Sequence, residues 1–358
     1  MIKKKRLLKY AALLSLILAL PACGQNGPSI GTATVSLPPA TIAATATPEP
    51  TPAPFVAPLT GLRGEAEYTQ RPIAVMINNF AAARPQSGLT NADVIWEVLA
   101  EGGITRLIAI YQSTDAITDT IGPIRSIRPY LIEIGETYGG ILAHAGASTD
   151  GYAILQFQGK PYLDEISNAG SYFWRSSERK APHNLYSNLE KLREGADKKG
   201  YKKDVAIPAY IYSEKGASAL TSSAAAATDI SVKFTLKDYK VSYSYDASTG
   251  LYSRSINDKP HIDLNNEEQL KASNLVVLGA KHKTLDSEGR LAVDLTPGGI
   301  ALLFQQGKVV EAEWVRSADN MIRIVSNGAE LQFVPGKTIF HIVPNTSSFE
   351  DHVTWVQN

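Results

Sequence analysis

Asp93-Val-Ile-Trp-Glu-Val-Leu-Ala-Glu101, then Gly102-Gly103, then Ile104-Thr-Arg-Leu-Ile-Ala-Ile-Tyr111 is the stretch on which the fold turns. Two apolar runs rich in β-branched and aromatic residues flank a pair of glycines, the composition of a hairpin. Val94, Ile95, Val98 and Leu99 also fit helical spacing, with Thr90 as a cap, so a helix over 92–101 is the competing assignment. The Val, Ile and Trp content decides for strands.

On the N-terminal side, Ile73-Ala-Val-Met-Ile77 has the pattern of a buried strand. On the C-terminal side, Pro129 is well placed to open a helix over 130–138, which Gly139-Gly140 ends, and Ile141–Ala145 reads as another strand. Ser187 and Glu190 form a capping box with Leu189, Leu192 and Ala196 on one face, predicting a helix over 187–199. An Ala/Ser/Thr run at 216–228 breaks the composition. Beyond it, 232–236, 239–245, 275–278, 300–304, 321–325 and 339–343 are short strand-like runs separated by turns. The expected fold is therefore α+β, or mixed α/β. An N-terminal domain over 59–215, with a mixed sheet and packed helices, precedes a smaller β-rich domain over 229–358. A length of 358 residues suits two domains, and 44% hydrophobic content supports packed cores.

The first 22 residues read as an address. Lys3, Lys4, Lys5, Arg6 and Lys9 precede an apolar run over 11–20, too short to span a bilayer. Leu20-Pro21-Ala22-Cys23 resembles the bacterial lipobox, and the chain's 1 cysteine stands where lipid would be attached. Residues 1–22 are thus expected to be a lipoprotein signal peptide, and Cys23 the lipidation site. Two or three acyl chains would hold the protein stably at the outer face of the cytoplasmic membrane. Residues 23–58, rich in Pro, Thr and Ala, read as a disordered tether.

The 35 Lys+Arg balance 35 Asp+Glu; removal of the signal leaves 30 against 35, a net of −5. Nucleic-acid binding is not expected of such a chain, and any anion must be held by a local group of arginines.

Four strings carry a resemblance: Arg71-Pro-Ile-Ala-Val-Met-Ile-Asn-Asn79 continuing to Ala83-Arg-Pro-Gln-Ser-Gly-Leu89; Glu101-Gly-Gly-Ile-Thr-Arg106; Ile121-Gly-Pro-Ile-Arg-Ser-Ile-Arg-Pro129; and Ala181-Pro-His-Asn-Leu-Tyr186. Their order and spacing resemble the YerB-like lipoproteins of Gram-positive bacteria, over roughly residues 60–345. The resemblance implies a mixed α/β fold on a lipid anchor, with an N-terminal domain of unknown function and a smaller C-terminal one. It implies no reaction.

The candidate site residues come chiefly from these strings. Arg125 and Arg128, on a proline-flanked loop entering a helix, stand with Arg84, Arg106, Arg175 and Arg179 as candidate anion ligands, since guanidinium forks match phosphate and carboxylate. The alternative is that they brace loops through Asp93, Glu97 or Glu101. His144, His183 and Asn184 are candidate polar site residues. Asp93 and Glu97 are the weak catalytic candidates. No metal-ligand spacing is recognisable, nothing like Gly-x-Ser-x-Gly surrounds Ser126 or Ser148, and no cofactor is implied. Tyr162, Tyr172, Phe173 and Trp174 form either a glycan groove or a core cluster under a loop. The expected protein is a non-catalytic module binding an anionic envelope polymer or an envelope protein. The alternative is an enzyme acting on an envelope glycan or a lipid-linked pyrophosphate.

Overall fold

The computed structural model describes residues 55–214, 224–345 and 348–356. Cys23, the signal segment, most of the tether and most of the 216–228 connection lie outside the described residues.

In the N-terminal half, β1 (Ile73–Asn78), β2 (Val94–Leu99) and β3 (Thr105–Tyr111) precede α1 (Pro129–Thr137), β4 (Ile141–His144), α2 (Thr149–Phe157), β5 (Tyr162–Asp164) and α3 (Leu189–Lys198). After the connection come β6 (Asp229–Lys233), β7 (Lys240–Asp246), β8 (Leu251–Ile256), β9 (Asn274–Thr284), β10 (Leu291–Asp294), β11 (Gly299–Gln305) and β12 (Lys308–Arg316). The last strands are β13 (Ile322–Ser326), β14 (Thr338–Pro344) and β15 (Val353–Trp355).

The opening stretch is the expected hairpin. β2 and β3 pair antiparallel, from Val94 against Ile110 to Leu99 against Thr105. Gly102 (φ 66°) and Gly103 (φ 74°) adopt the left-handed backbone the reversal needs. The helical alternative fails because apolar side chains alternate between two covered faces. Val94, Trp96 and Val98 pack on one side of the sheet, Ile95 and Leu99 on the other.

One large sheet runs through the molecule in the order β13, β12, β11, β9, β14, β2, β3, β1, β4, β5. The C-terminal strand β14 lies parallel to both β9 and β2, Ile339 opposite Ile95 and His341 opposite Glu97. Strands from the two halves therefore share one ladder. Helices α1 and α2 cover one face, where Tyr130, Leu131, Ile134 and Leu155 meet Ala74, Met76 and Trp96. The other face carries α3 and a small antiparallel sheet of β8, β7, β6 and β15, whose Ile230, Val232, Tyr243 and Tyr252 close the second core.

Strands thus outweigh the 3 α-helices of the described residues, and the protein is more β-rich than the expected α+β fold. Three local expectations are corrected. Asn188, not Ser187, caps α3, accepting from the Lys191 N–H at 2.9 Å. Ser187 is held in a bridge with Ile121 and its hydroxyl donates to the Tyr172 carbonyl, so the helix starts later. Ser148 caps α2, which the sequence reading left without an element. The folded part also begins before residue 59: Phe55–Val56 pairs with Arg63–Gly64, and Ala57 is buried.

Candidate anion site at the strand ends

Strands β1, β4 and β5 run parallel, so the loops leaving their C-terminal ends gather at one edge, the place where open sheets usually hold ligands. Across these ends lies the loop Ile121–Arg128. Its apolar Ile121, Ile124 and Ile127 recur every third residue and are all buried, which turns Arg125 and Arg128 outward. The backbone is tied down on both strands. The Arg125 N–H donates to Met76 and the Asn78 N–H to Pro123, each at 2.8 Å, while Ala145 N–H donates to Arg125 and Ile127 N–H to Gly146.

Arg128 is braced. Its Nε donates to Glu101, and Nη1 to the Ile127 carbonyl at 2.7 Å. Arg106, deeply buried, donates to the Ser126 carbonyl at 2.7 Å and lies 3.9 Å from Glu101. Burial, and then the charge of Arg128, pull the Arg106 guanidinium down to about 10. Burial would raise the Glu101 carboxyl, but Arg128 wins and holds it below the usual range. For these two arginines, bracing through Glu101 is the observed arrangement.

Arg125 is different. Among the described residues its guanidinium makes no hydrogen bond and no ion pair. It is half-buried, and burial followed by the neighbouring charge of Arg128 lowers its pKa, with Arg175 adding to the effect. Beside it, His183 stacks on Phe80 (ring centroids 5.2 Å apart), and its Nδ1 lies 2.8 Å from the Asn78 amide nitrogen. An amide nitrogen can only donate, so Nδ1 accepts and the imidazole proton sits on Nε2. Burial, Arg125 and Arg179 lower the His183 pKa.

The remaining candidates divide. Arg175 bonds Glu165 at 3.1 Å and the Asn184 side chain at 3.2 Å; Asn184 is itself fixed to the Ser176 carbonyl. Arg179 clasps the loop after β1 through the carbonyls of Ala83 and Pro85. Arg84 points away from this group, its guanidinium 5.3 Å from the Tyr239 ring centre, beside a separate cleft. His144 is buried and contacts the Gly146 carbonyl (3.1 Å) and Asp164 (3.5 Å); burial pulls its pKa to about 4 despite that carboxylate. The aromatic group is mainly core: Phe173 is buried, Tyr162 stacks on His144, and Tyr172 packs against the core at Gly195.

Asp93 and Glu97 do not face the arginines across an opening. Asp93 is buried and accepts from the backbone of Gln112 and Ser113 and from the Ser113 hydroxyl. Glu97 is fully buried between the two sheets. It takes Arg254 Nη2 at 2.8 Å and the Tyr239 and Thr105 hydroxyls, with His341 Nδ1 at 3.2 Å. Arg254 continues to Tyr243 and His261, and His261 to Gln86. Burial would raise Glu97, yet Arg254 and His341 keep its pKa low. The sequence reading missed this network, and with it Arg254, His261 and His341. The available signal was Tyr252-x-Arg254-x-Ile256, which puts an arginine in the inward phase of a strand.

Two family models match the chain in two successive segments. Residues 59–202 match the family described as "Protein of unknown function (DUF3048) N-terminal domain", and residues 230–340 match its C-terminal domain. The chain belongs to that family. It is 36% identical over 290 residues to a Bacillus subtilis (strain 168) protein described as "Putative lipoprotein YerB", covering 81% of this chain and 86% of that one. The crystal structure of YerB from Bacillus subtilis superposes with a TM-score of 0.76 at 34% identity, covering 84% of this chain and 99% of the solved one.

Proposed function

We propose that the protein is a lipid-anchored extracytoplasmic binding module, held at the outer face of the cytoplasmic membrane through Cys23. Its strand-end arginines capture an anionic group of an envelope polymer or envelope protein, with no chemistry performed on it. The name of the Bacillus relative and the lipobox-like Leu20–Cys23 string support the anchor. The observation that carries the binding reading is Arg125: a half-buried guanidinium with no hydrogen-bond or ion-pair partner among the described residues, beside Arg128, Arg175 and the Nε2–H of His183. Holding cations together is unfavourable unless an anion is supplied. Asp93 and Glu97, consumed in buried contacts, are poorly placed for acid–base work on an external substrate, which favours binding over catalysis.

Thermal-shift titration of the full chain with pyrophosphate at low salt tests this reading. Binding to the folded state alone raises stability by about 2.7 kcal/mol at a hundredfold excess over Kd. The wild type should be stabilised and Arg125→Lys much less so, because an ammonium cannot reproduce the planar fork. No stabilisation of the wild type by any anion would remove the site.

A further inference from the structure

A cleft of about 500 Å3 lies on the far side of the loop after β1, between that loop and the turn following β8. Ala81, Arg84 and Pro85 form one wall; Ile256, Lys259 and Pro260 form the other, with His261 below. Its two cationic side chains face no carboxylate in the lining. Lys259 is exposed and makes no ion pair among the described residues, and Arg84 Nε is buried without a hydrogen-bond partner.

The wall shared by this cleft and the strand-end site is the loop itself. Arg179, from the strand-end side, holds the carbonyls of Ala83 and Pro85, the residues flanking Arg84. Phe80, 42% exposed, stacks on His183 on that same side and immediately precedes Ala81 in the cleft. Cations thus continue from Arg125 and Arg175, past an exposed ring, to Arg84 and Lys259. Glu101 and Glu165 are already paired at the strand-end side.

We propose that these two sites form one track for a linear polyanion, a flexible chain with an acidic group in each repeat, that crosses from the N-terminal segment to the C-terminal one. The inference rests on the anion-binding reading above and extends it, because a single phosphate or carboxylate would use only the strand-end arginines. The apolar walls contributed by Pro85, Ile256 and Pro260 suit the uncharged parts of the repeat. Contacts in series raise affinity by effective concentration without any one contact being strong.

The test is isothermal titration of the full chain in nonionic detergent, at several NaCl concentrations. Pyrophosphate is compared with long-chain inorganic polyphosphate, and polygalacturonate replaces polyphosphate in a parallel arm. A track predicts that the polymer binds at least about tenfold more tightly than pyrophosphate, with a steeper dependence of log Kd on log salt. Lys259→Gln should weaken polymer binding severalfold and reduce that slope by roughly one, leaving pyrophosphate binding unchanged. Arg125→Gln should weaken both ligands. Success in the polyphosphate arm assigns phosphate as the acidic group; success in the polygalacturonate arm assigns carboxylate. If each polymer binds no better than pyrophosphate and Lys259→Gln changes nothing, the track is wrong while the strand-end site stands. If pyrophosphate and both polymers all fail to bind, both readings fall.

Discussion

Glu97 shows how one residue can mislead when read alone. A carboxylate in an apolar strand suggests catalysis, but here it is the hub of a buried network joining two sheets through Arg254, Tyr239 and His341. Removing one partner of such a pair leaves a desolvated charge, so Arg254→Met should cost about 3–5 kcal/mol in denaturant unfolding. Adding Glu97→Leu should restore part of that loss, and a double-mutant cycle would measure the coupling. His144 makes a pH prediction. Its folded pKa of about 4 lies below the ordinary 6.5, so the unfolded state takes up the proton first. Stability should therefore fall as pH drops from about 6.5 toward 4, by about 3 kcal/mol from this residue, and the share should vanish in His144→Phe. His261 and His341, also buried with lowered pKa values, steepen the acid limb in the same direction.

Elements differ in how much of themselves the chain displays. The β2–β3 hairpin was legible because every residue from Val94 to Leu99 is buried and two glycines mark the reversal. Helix α1 was legible from Pro129 and the glycines behind it. Helix α2 was not, because Thr149–Phe157 has no proline at its start, carries Gly151 in its first turn and leaves Phe157 exposed. The strand-end loop was legible as a loop, but only the fold separates its two arginines into Arg128, which is braced with Arg106 of β3 through Glu101, and Arg125, which is not. Ile127 is the peg that holds it, fully buried against the α1 face of the sheet. Ile127→Ala should cost about 2–5 kcal/mol. Because the same change loosens the backbone carrying Arg125 and Arg128, pyrophosphate should also stabilise the variant less than the wild type in the thermal-shift assay.

At the scale of the whole molecule, the least legible feature is the placing of β14. Nothing local in Thr338–Pro344 says that it will lie beside residues some 240 positions earlier, Ile339 against Ile95. The segments on either side of the Ala/Ser/Thr connection share one ladder. Two consequences are measurable. Unfolding should be a single cooperative transition, with the same midpoint by circular dichroism and by calorimetry. A fragment ending at residue 214 would leave the apolar edge of β2 uncovered, so it should aggregate on size-exclusion chromatography while the full chain elutes as one species. On the anchoring proposal, Cys23→Ala should release the protein from membranes, which fractionation with fatty-acid labelling would read directly.

The order in which the chain is made gives the position of β14 a further meaning. A ribosome delivers Val94–Leu99 long before Thr338–Pro344, yet the later segment is the one inserted between β9 and β2. The middle of the sheet therefore stays open until a strand some 240 residues further along the chain is in place. Any message cut short before that point yields a product that is unfinished at its centre, not merely at its end.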